Sequence, residues 1–444
     1  MGYTNGLARA QADNSWRYEL AFAIAGFATY FCAYSFRKPF LAAEFSSIPA
    51  PFGAIETKTL FVLSQVVGYA LAKYLGVKVC SETPRARLAW MLAALILLAE
   101  SALVAFALLP PALKGAAMFA NGLALGMVWG HVVRFLEGRR ASDLLLAVLC
   151  SSFVVSSGVV KDVGRALLDS GLAETWMPAA TGALFLAPFF VAISVLHRLP
   201  APDGDDEAER SRREPMTAQS RRRFFADHAL GIVLLLGVYL FATAFRDFRD
   251  NYGVEMLGDF GYQDITGAFT RMELPIAFSV LCALGALRWV RDSRKALACA
   301  FALMFSGSLI VGASTLLLDQ GALSGMAWLT VAGLGAYLTY IPYNAVLFER
   351  LWASTGAVGT AVFCIYLADA VGYGGSLATQ LGKDVLAPQM SRLEYFRLIS
   401  YSLSAAGCVG VAGAAFYFLK VKQNVRSGPS RQRDPGVVPA PGRL

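Results

Sequence analysis

Residues 197–228 read HRLPAPDGDDEAERSRREPMTAQSRRRFFADH, a charged, proline-containing run with no apolar periodicity. Such a stretch reads as a polar linker, and the segments on either side of it are its opposite. Six long apolar runs precede it, near 18–38, 58–77, 88–109, 116–135, 143–167 and 176–197. Six follow, near 229–248, 264–288, 296–317, 324–348, 355–380 and 395–419. A membrane helix needs about 20 mostly apolar residues, and these runs are continuous where barrel strands would alternate. The expectation is an all-α polytopic membrane protein of twelve transmembrane helices in two six-helix halves. The divisions are an N-terminal tail (1–17), an N-terminal half (18–198), a linker (199–228), a C-terminal half (229–420) and a basic, disordered tail (421–444).

Composition agrees with lipid as the solvent. Of 444 residues, 56% are hydrophobic and 16% charged, and mean hydropathy is +0.52, against about 25% charged in a soluble domain. A soluble enzyme, a disordered chain and a disulfide scaffold are excluded. The net charge of +8 sits mainly in loops after even-numbered runs, as at Lys78, Arg85 and Arg87, or Arg288, Arg291, Arg294 and Lys295. Loop cations set topology, so both termini are expected in the cytoplasm, a bacterial inner membrane is the expected location, and nucleic acid is not a partner. Residues 1–17 lack the apolar core and cleavage site of a signal peptide. Seven cysteines and three histidines show no metal spacing, and no GxxxxGK[ST] loop is present. No metal, cofactor, ATP drive or enzymatic centre is expected, and the chain is expected to act as a monomer with lipid and a small solute as its partners.

The halves are weakly alike. At an offset of 212, Phe36-Arg37 falls on Phe248-Arg249, Glu137 on Glu349, and Ala141-Ser142 on Ala353-Ser354. The matches end spans one and seven, then four and ten, and include the residue types least expected near lipid.

Charge inside a membrane is costly, roughly 2.5–3.5 kcal/mol on insertion scales, so each such residue is a functional candidate beside a plainer alternative. Arg37 and Arg249 can fork onto phosphate or carboxylate oxygens or serve as interfacial anchors, and Arg246 competes with Arg249 for the second place. Lys38 is a weaker candidate, because Asp250 occupies its equivalent position. Lys73 shares a helix face with Tyr69, and Tyr34 is a further auxiliary ligand. Lys161, with Asp162 and Arg165, is a ligand or part of a helix-end network. Glu100 and Asp369 are proton carriers or neutralise a buried cation. Arg271 and Glu273 read as a structural pair. Tyr340, Tyr343 and Asn344 share a face beside Pro342 and suit a cavity wall or simple packing. Glu137, Arg139, Glu349 and Arg350 end spans four and ten as gating clamps.

Two parallel six-helix halves with a central linker resemble the major facilitator superfamily. FATYFCAYSFRKPF (27–40) and GYALAKYLG (68–76) resemble the first two helices of its organophosphate:phosphate antiporters. NGLALGMVWGHVVRFLEGRR (121–140), SSGVVKDVGR (156–165), FRDFRDNYG (245–253) and YIPYNAVLFER (340–350) resemble an uncharacterised bacterial membrane-protein family related to that superfamily, over most of residues 18–420. The antiporter resemblance implies one arginine from each half on a substrate phosphate, Arg37 with Arg249 or Arg246, and exchange for inorganic phosphate. The chain departs from it in span five, where those antiporters carry a histidine and this one has Cys150, Ser151, Ser152, Ser156 and Ser157. The reading is a secondary transporter of a small anionic solute, organophosphate-like or carboxylate, working by alternating access. Its alternatives are a proton-coupled symporter and a transporter-derived sensor.

Overall fold

The computed structural model describes residues 2–50, 53, 55–136, 142–200, 218–287, 289–290, 292–348, 350–351 and 361–421. It is helical throughout its long segments. In the N-terminal half these are α1 (Gly2–Tyr34), α2 (Thr57–Glu82), α3 (Leu88–Leu108), α4 (Pro111–Leu125), α5 (Val128–Leu136), α6 (Ser142–Asp169) and α7 (Met177–Arg198). In the C-terminal half they are α8 (Ala218–Asn251), the short α9 (Gly253–Asp259), α10 (Ala268–Leu287), α11 (Ser293–Asp319), α12 (Gly325–Pro342), α13 (Ala361–Leu386) and α14 (Arg392–Phe416).

Local chemistry sets many ends. Pro111 starts α4 where its missing N–H costs nothing. Asp292 and Ser324 cap α11 and α12, and Ser391 with Glu394 forms a reciprocal capping box on α14. Pro342 ends α12 and the chain continues as a wider π turn over Tyr343–Leu347. The expected fourth span is two helices, α4 and α5, interrupted at Gly126-Met127. Helix α1 runs back through the expected N-terminal tail and stops at Tyr34, so Arg37 lies in a turn and not in the helix. Residues 218–228 of the expected linker are the first turns of α8. The tail from 422 onward and linker residues 201–217 lie outside the described residues.

Among the described residues, eight helices are long and apolar enough to cross a membrane: those over Arg85–Leu108, Pro111–Leu136, Leu144–Asp169, Met177–Arg198, Phe225–Asn251, Ala268–Leu287, Ser293–Asp319 and Arg392–Lys420. The other four expected spans, one, two, ten and eleven, correspond to α1, α2, α12 and α13. They are helical, and the polar residues they bury include Thr29, Gln65, Thr339, Asp369 and Gln380.

Each half has its own apolar cluster. One is built on Phe36, Phe61, Phe106 and Phe135, the other on Phe245, Phe248, Trp328 and Phe396. Each cluster takes one fully buried residue from the other half: Tyr373 of α13 in the first, Val154 of α6 in the second. Inside the halves, helices approach at glycine. A methyl group on Gly122 would lie 2.0 Å from the Gln65 carbonyl of α2, and one on Gly307 2.5 Å from the Gly335 carbonyl of α12.

Candidate functional site: a tyrosine-lined contact between the halves

The break at the end of α1 builds the first part of the site. Helix termination leaves carbonyls unpaired, and two side chains from neighbouring helices take them. Gln65 Nε2 donates to the Arg37 carbonyl at 3.0 Å, and Asn121 Nδ2 donates to the Phe36 carbonyl at 3.0 Å. Gln65 and Asn121 also bond each other at 2.8 Å. The turn is thus held from α2 and α4, and it presents Arg37 to aromatic rings. Its guanidinium carbon lies 4.1 Å from the Tyr69 ring centre and 5.7 Å from that of Tyr34, the geometry of a cation–π contact. The Arg37 Nε is buried without a hydrogen-bond partner.

Lys73, one turn beyond Tyr69 on α2, crosses to the other half. Its Nζ lies 2.6 Å from Asp369 of α13, and the Tyr239 hydroxyl of α8 donates to the second Asp369 oxygen at 2.6 Å. The rings of Tyr69 and Tyr373 flank Lys73 at 5.6 and 5.3 Å. Tyr340 stacks on Tyr239 with centroids 5.1 Å apart, Tyr343 meets it edge-on at 4.8 Å, and Asn344 Nδ2 reaches its hydroxyl at 3.5 Å. Tyr343 donates its own hydroxyl to the Leu235 carbonyl, 2.8 Å away, so Tyr343 is a packing and bracing residue of this wall.

The two C-terminal arginines differ. Arg246 lies over Tyr340 at 4.1 Å and pairs with its chain neighbour Asp247 at 2.7 Å; Ser376 donates to the other Asp247 oxygen at 2.8 Å. Arg249 turns the other way, into its own half. It pairs with Glu273 of α10 at 2.6 Å and donates to the Leu329 carbonyl of α12 at 2.8 Å. Glu273 therefore belongs to Arg249, and the expected Arg271–Glu273 pair does not form: Arg271 is exposed.

Toward the end of the bundle away from the linker, Asp250 receives two lysines from the N-terminal half. Lys161 lies 2.7 Å from one oxygen, which also accepts from Ser157 at 2.5 Å, and Lys38 contacts the other. Lys38 and Asp250 are the residues at equivalent places in the two repeats, so opposite charges at matched positions meet across the interface. Asp162 accepts the backbone amides of Phe269 and Thr270 at the start of α10, at 3.3 and 2.7 Å, and Arg165 pairs with Asp169 at 3.7 Å.

A second layer closes the same end. Glu56 pairs with Arg392 at 2.5 Å and lies 3.8 Å from Lys383, while Arg392 also meets Asp384 at 3.1 Å. Lys58 pairs with Glu255 at 2.7 Å, and Thr59 bonds Tyr252 at 3.0 Å. Glu255 lies on α9, between the spans. Burial pushes its carboxyl above the usual range, and the Lys58 ammonium pulls it partly back. The charged residues of this second layer did not stand out in the sequence, where Lys58 begins an expected span and the others lie singly or in pairs between spans.

Glu100 lies apart from this interface. It packs where α3 meets α7, so closely that a methyl on Gly182 would lie 2.2 Å from its Oε2, and that oxygen has no hydrogen-bond partner. Of the expected gating residues, Arg350 is half-buried at the end of span ten, and Glu137, Arg139 and Glu349 lie outside the described residues.

Helical bundles of this kind are known. Similar solved structures include a D-xylose–proton symporter (TM-score 0.58, 15% identity, 90% of this chain and 96% of that one). A point mutant of the nucleoside transporter NupG follows (0.57, 12%, 91% and 100%), and then a point mutant of the peptide transporter POT in complex with sulfate (0.55, 13%, 88% and 93%). The fold is that of a major facilitator-type membrane protein, multi-pass and integral to the bilayer. The chain belongs to the family described as "Family of unknown function (DUF5690)", whose model matches residues 39–421. No curated protein matches it in sequence.

Proposed function

We propose that the protein is a secondary transporter that moves a small anionic solute by alternating access. The observation that carries the reading is Arg37. A guanidinium in the membrane interior is costly unless paired, and Lys38, Lys73, Lys161, Arg246 and Arg249 all have carboxylate partners. Arg37 rests on tyrosine faces with a buried, unpartnered Nε, which is the state of a cation awaiting a ligand. In this reading Arg37 grips the anion. Arg246, on the face of Tyr340, takes the second place ahead of Arg249, and Lys73, Tyr34, Tyr69, Tyr340 and Asn344 line the path. The polar helices α1, α2, α12 and α13 complete twelve spans around it, with both termini in the cytoplasm of a bacterial inner membrane and the monomer as the working unit.

The test is counterflow in proteoliposomes with phosphate, sugar phosphates and dicarboxylates. A charged hydrogen bond contributes about 1.5–3 kcal/mol, so Arg37→Ala is expected to lower uptake roughly 10- to 100-fold, with little change in melting temperature. Undiminished uptake by Arg37→Ala would sink the reading. A proton-coupled symporter is the second reading, favoured by the partnerless Oε2 of Glu100. It predicts uptake that collapses without a pH gradient and in Glu100→Gln, where an exchanger needs neither.

A further inference from the structure

The two charged layers between the halves differ in their balance. In the layer nearer the bundle end, Lys58, Lys383 and Arg392 face Glu56, Glu255 and Asp384, three of each sign. That layer is neutral as it stands.

The deeper layer is not. From the N-terminal half come four cations, Arg37, Lys38, Lys73 and Lys161. From the C-terminal half come Arg246 and three carboxylates, Asp247, Asp250 and Asp369. The Arg249–Glu273 pair is closed on itself within one half, and Asp162 lies against the amides at the N-terminus of α10, whose partial positive charge offsets its own. The deeper layer therefore holds two more positive charges than negative. The surplus has two addresses: Arg37, with no carboxylate, and Asp250, where one carboxylate serves two lysines. Those addresses adjoin, because Arg37 and Lys38 are consecutive. An enclosed site of low polarity favours electrical neutrality, since unpaired charge there forfeits hydration without return.

We infer that the transported solute is a doubly charged anion, a dicarboxylate or a phosphate monoester, whose two charges match this surplus. The inference rests on the anion-transporter reading above and adds the charge number. The solute's first charge sits on the Arg37 fork. Its second draws on the lysine surplus at Asp250, so binding loosens the Lys38–Asp250 contact that ties the turn after α1 to α8.

Two probe series vary charge at nearly constant shape: succinate, succinamate and succinamide, and glycerol phosphate, its methyl diester and glycerol. Each is measured at neutral pH or slightly above, by thermal shift and uptake, on the full chain in detergent and in liposomes. The expected result is a shift and uptake with the doubly charged member of one series, which also tells carboxylate from phosphate, and at least tenfold weaker response to its singly charged analogue. Lys161→Met lowers the surplus to one and should turn the preference toward the singly charged member. The double variant Lys161→Met/Asp250→Asn returns the surplus to two and should restore the original order, which simple loss of packing would not do. If the single variant fails to fold, the double variant and Asp250→Asn, expected to hold the dianion more tightly than wild type, carry the same comparison. Equal or better binding of the singly charged analogue by wild type overturns the charge number and leaves the anion reading standing. Equal binding of the neutral members, or no response to any member, overturns both.

Discussion

Arg37 and Arg249 occupy equivalent positions in the two repeats, each following a buried phenylalanine near the end of its half's first helix. Their surroundings are opposite. Arg249 is locked to Glu273 and to the Leu329 carbonyl, and it fills the space beside Gly333, where a methyl group would lie 2.6 Å from the guanidinium carbon. Arg37 has its backbone held by Gln65 and Asn121 while its head group meets only aromatic rings. One arginine is part of its half's architecture, and the other is left without a carboxylate. The same residue stands at matched positions of the two halves, and the neighbouring helices give it different surroundings. Glu273 of α10 holds Arg249 inside its own half, while Arg246, one turn earlier, lies over the Tyr340 ring.

The largest effect should come from breaking the locked copy. Arg249→Ala strands a buried carboxylate, which costs about 3–5 kcal/mol, and is expected to lower the melting temperature far more than Arg37→Ala does; the same loss from both would erase the distinction. Gly333→Ala should cost about 1–3 kcal/mol by overpacking the pinned guanidinium, and pairing it with Arg249→Ala should remove most of that penalty in a double-mutant cycle. On the other copy, Gln65→Ala should cost about 1 kcal/mol of stability yet weaken anion binding as well, because the turn that aims Arg37 loses its anchor. Intact binding in that variant would separate the turn from the site. The smallest effect belongs to the neutral layer. Folded Glu255 holds its proton to higher pH than it would in the unfolded chain, so its contribution is full at low pH and declines as pH rises through the folded value. Glu255→Gln removes that decline, so melts taken across pH should lose this part of their slope.

Much of this was legible in the residues. The continuous apolar runs led to an all-helical bundle, and the matched Phe-Arg pairs led to the ends of α1 and α8. The break after Tyr34 has a local contributor in Pro39, which has no N–H for the Ser35 carbonyl, but its bracing is tertiary and was not legible: Gln65 and Asn121 take the carbonyls of Arg37 and Phe36 in the turn. The choice between Arg246 and Arg249 was equally hidden, since both flank acidic neighbours and only α10 distinguishes them. Asp250 at the counterpart position makes Lys38 a weak candidate in the sequence, yet that opposition of sign is what joins the two residues. The polar partners of α2, α12 and α13 were equally hidden: Gln65 meets Asn121 of α4, Thr339 meets Ser308 of α11, and Gln380 meets Asn251 of α8.

The exchange of Tyr373 and Val154 between the two apolar clusters has a kinetic meaning. Each half seats one side chain in its neighbour, so the halves cannot swing apart without both being withdrawn. Burying a side chain of this size is worth about 1.5–3 kcal/mol, so two withdrawn together add to the barrier between conformations. In the proposed alternating-access cycle, trimming Tyr373 to a smaller side chain is then a way to alter the tempo, as removing a detent lets a wheel turn freely.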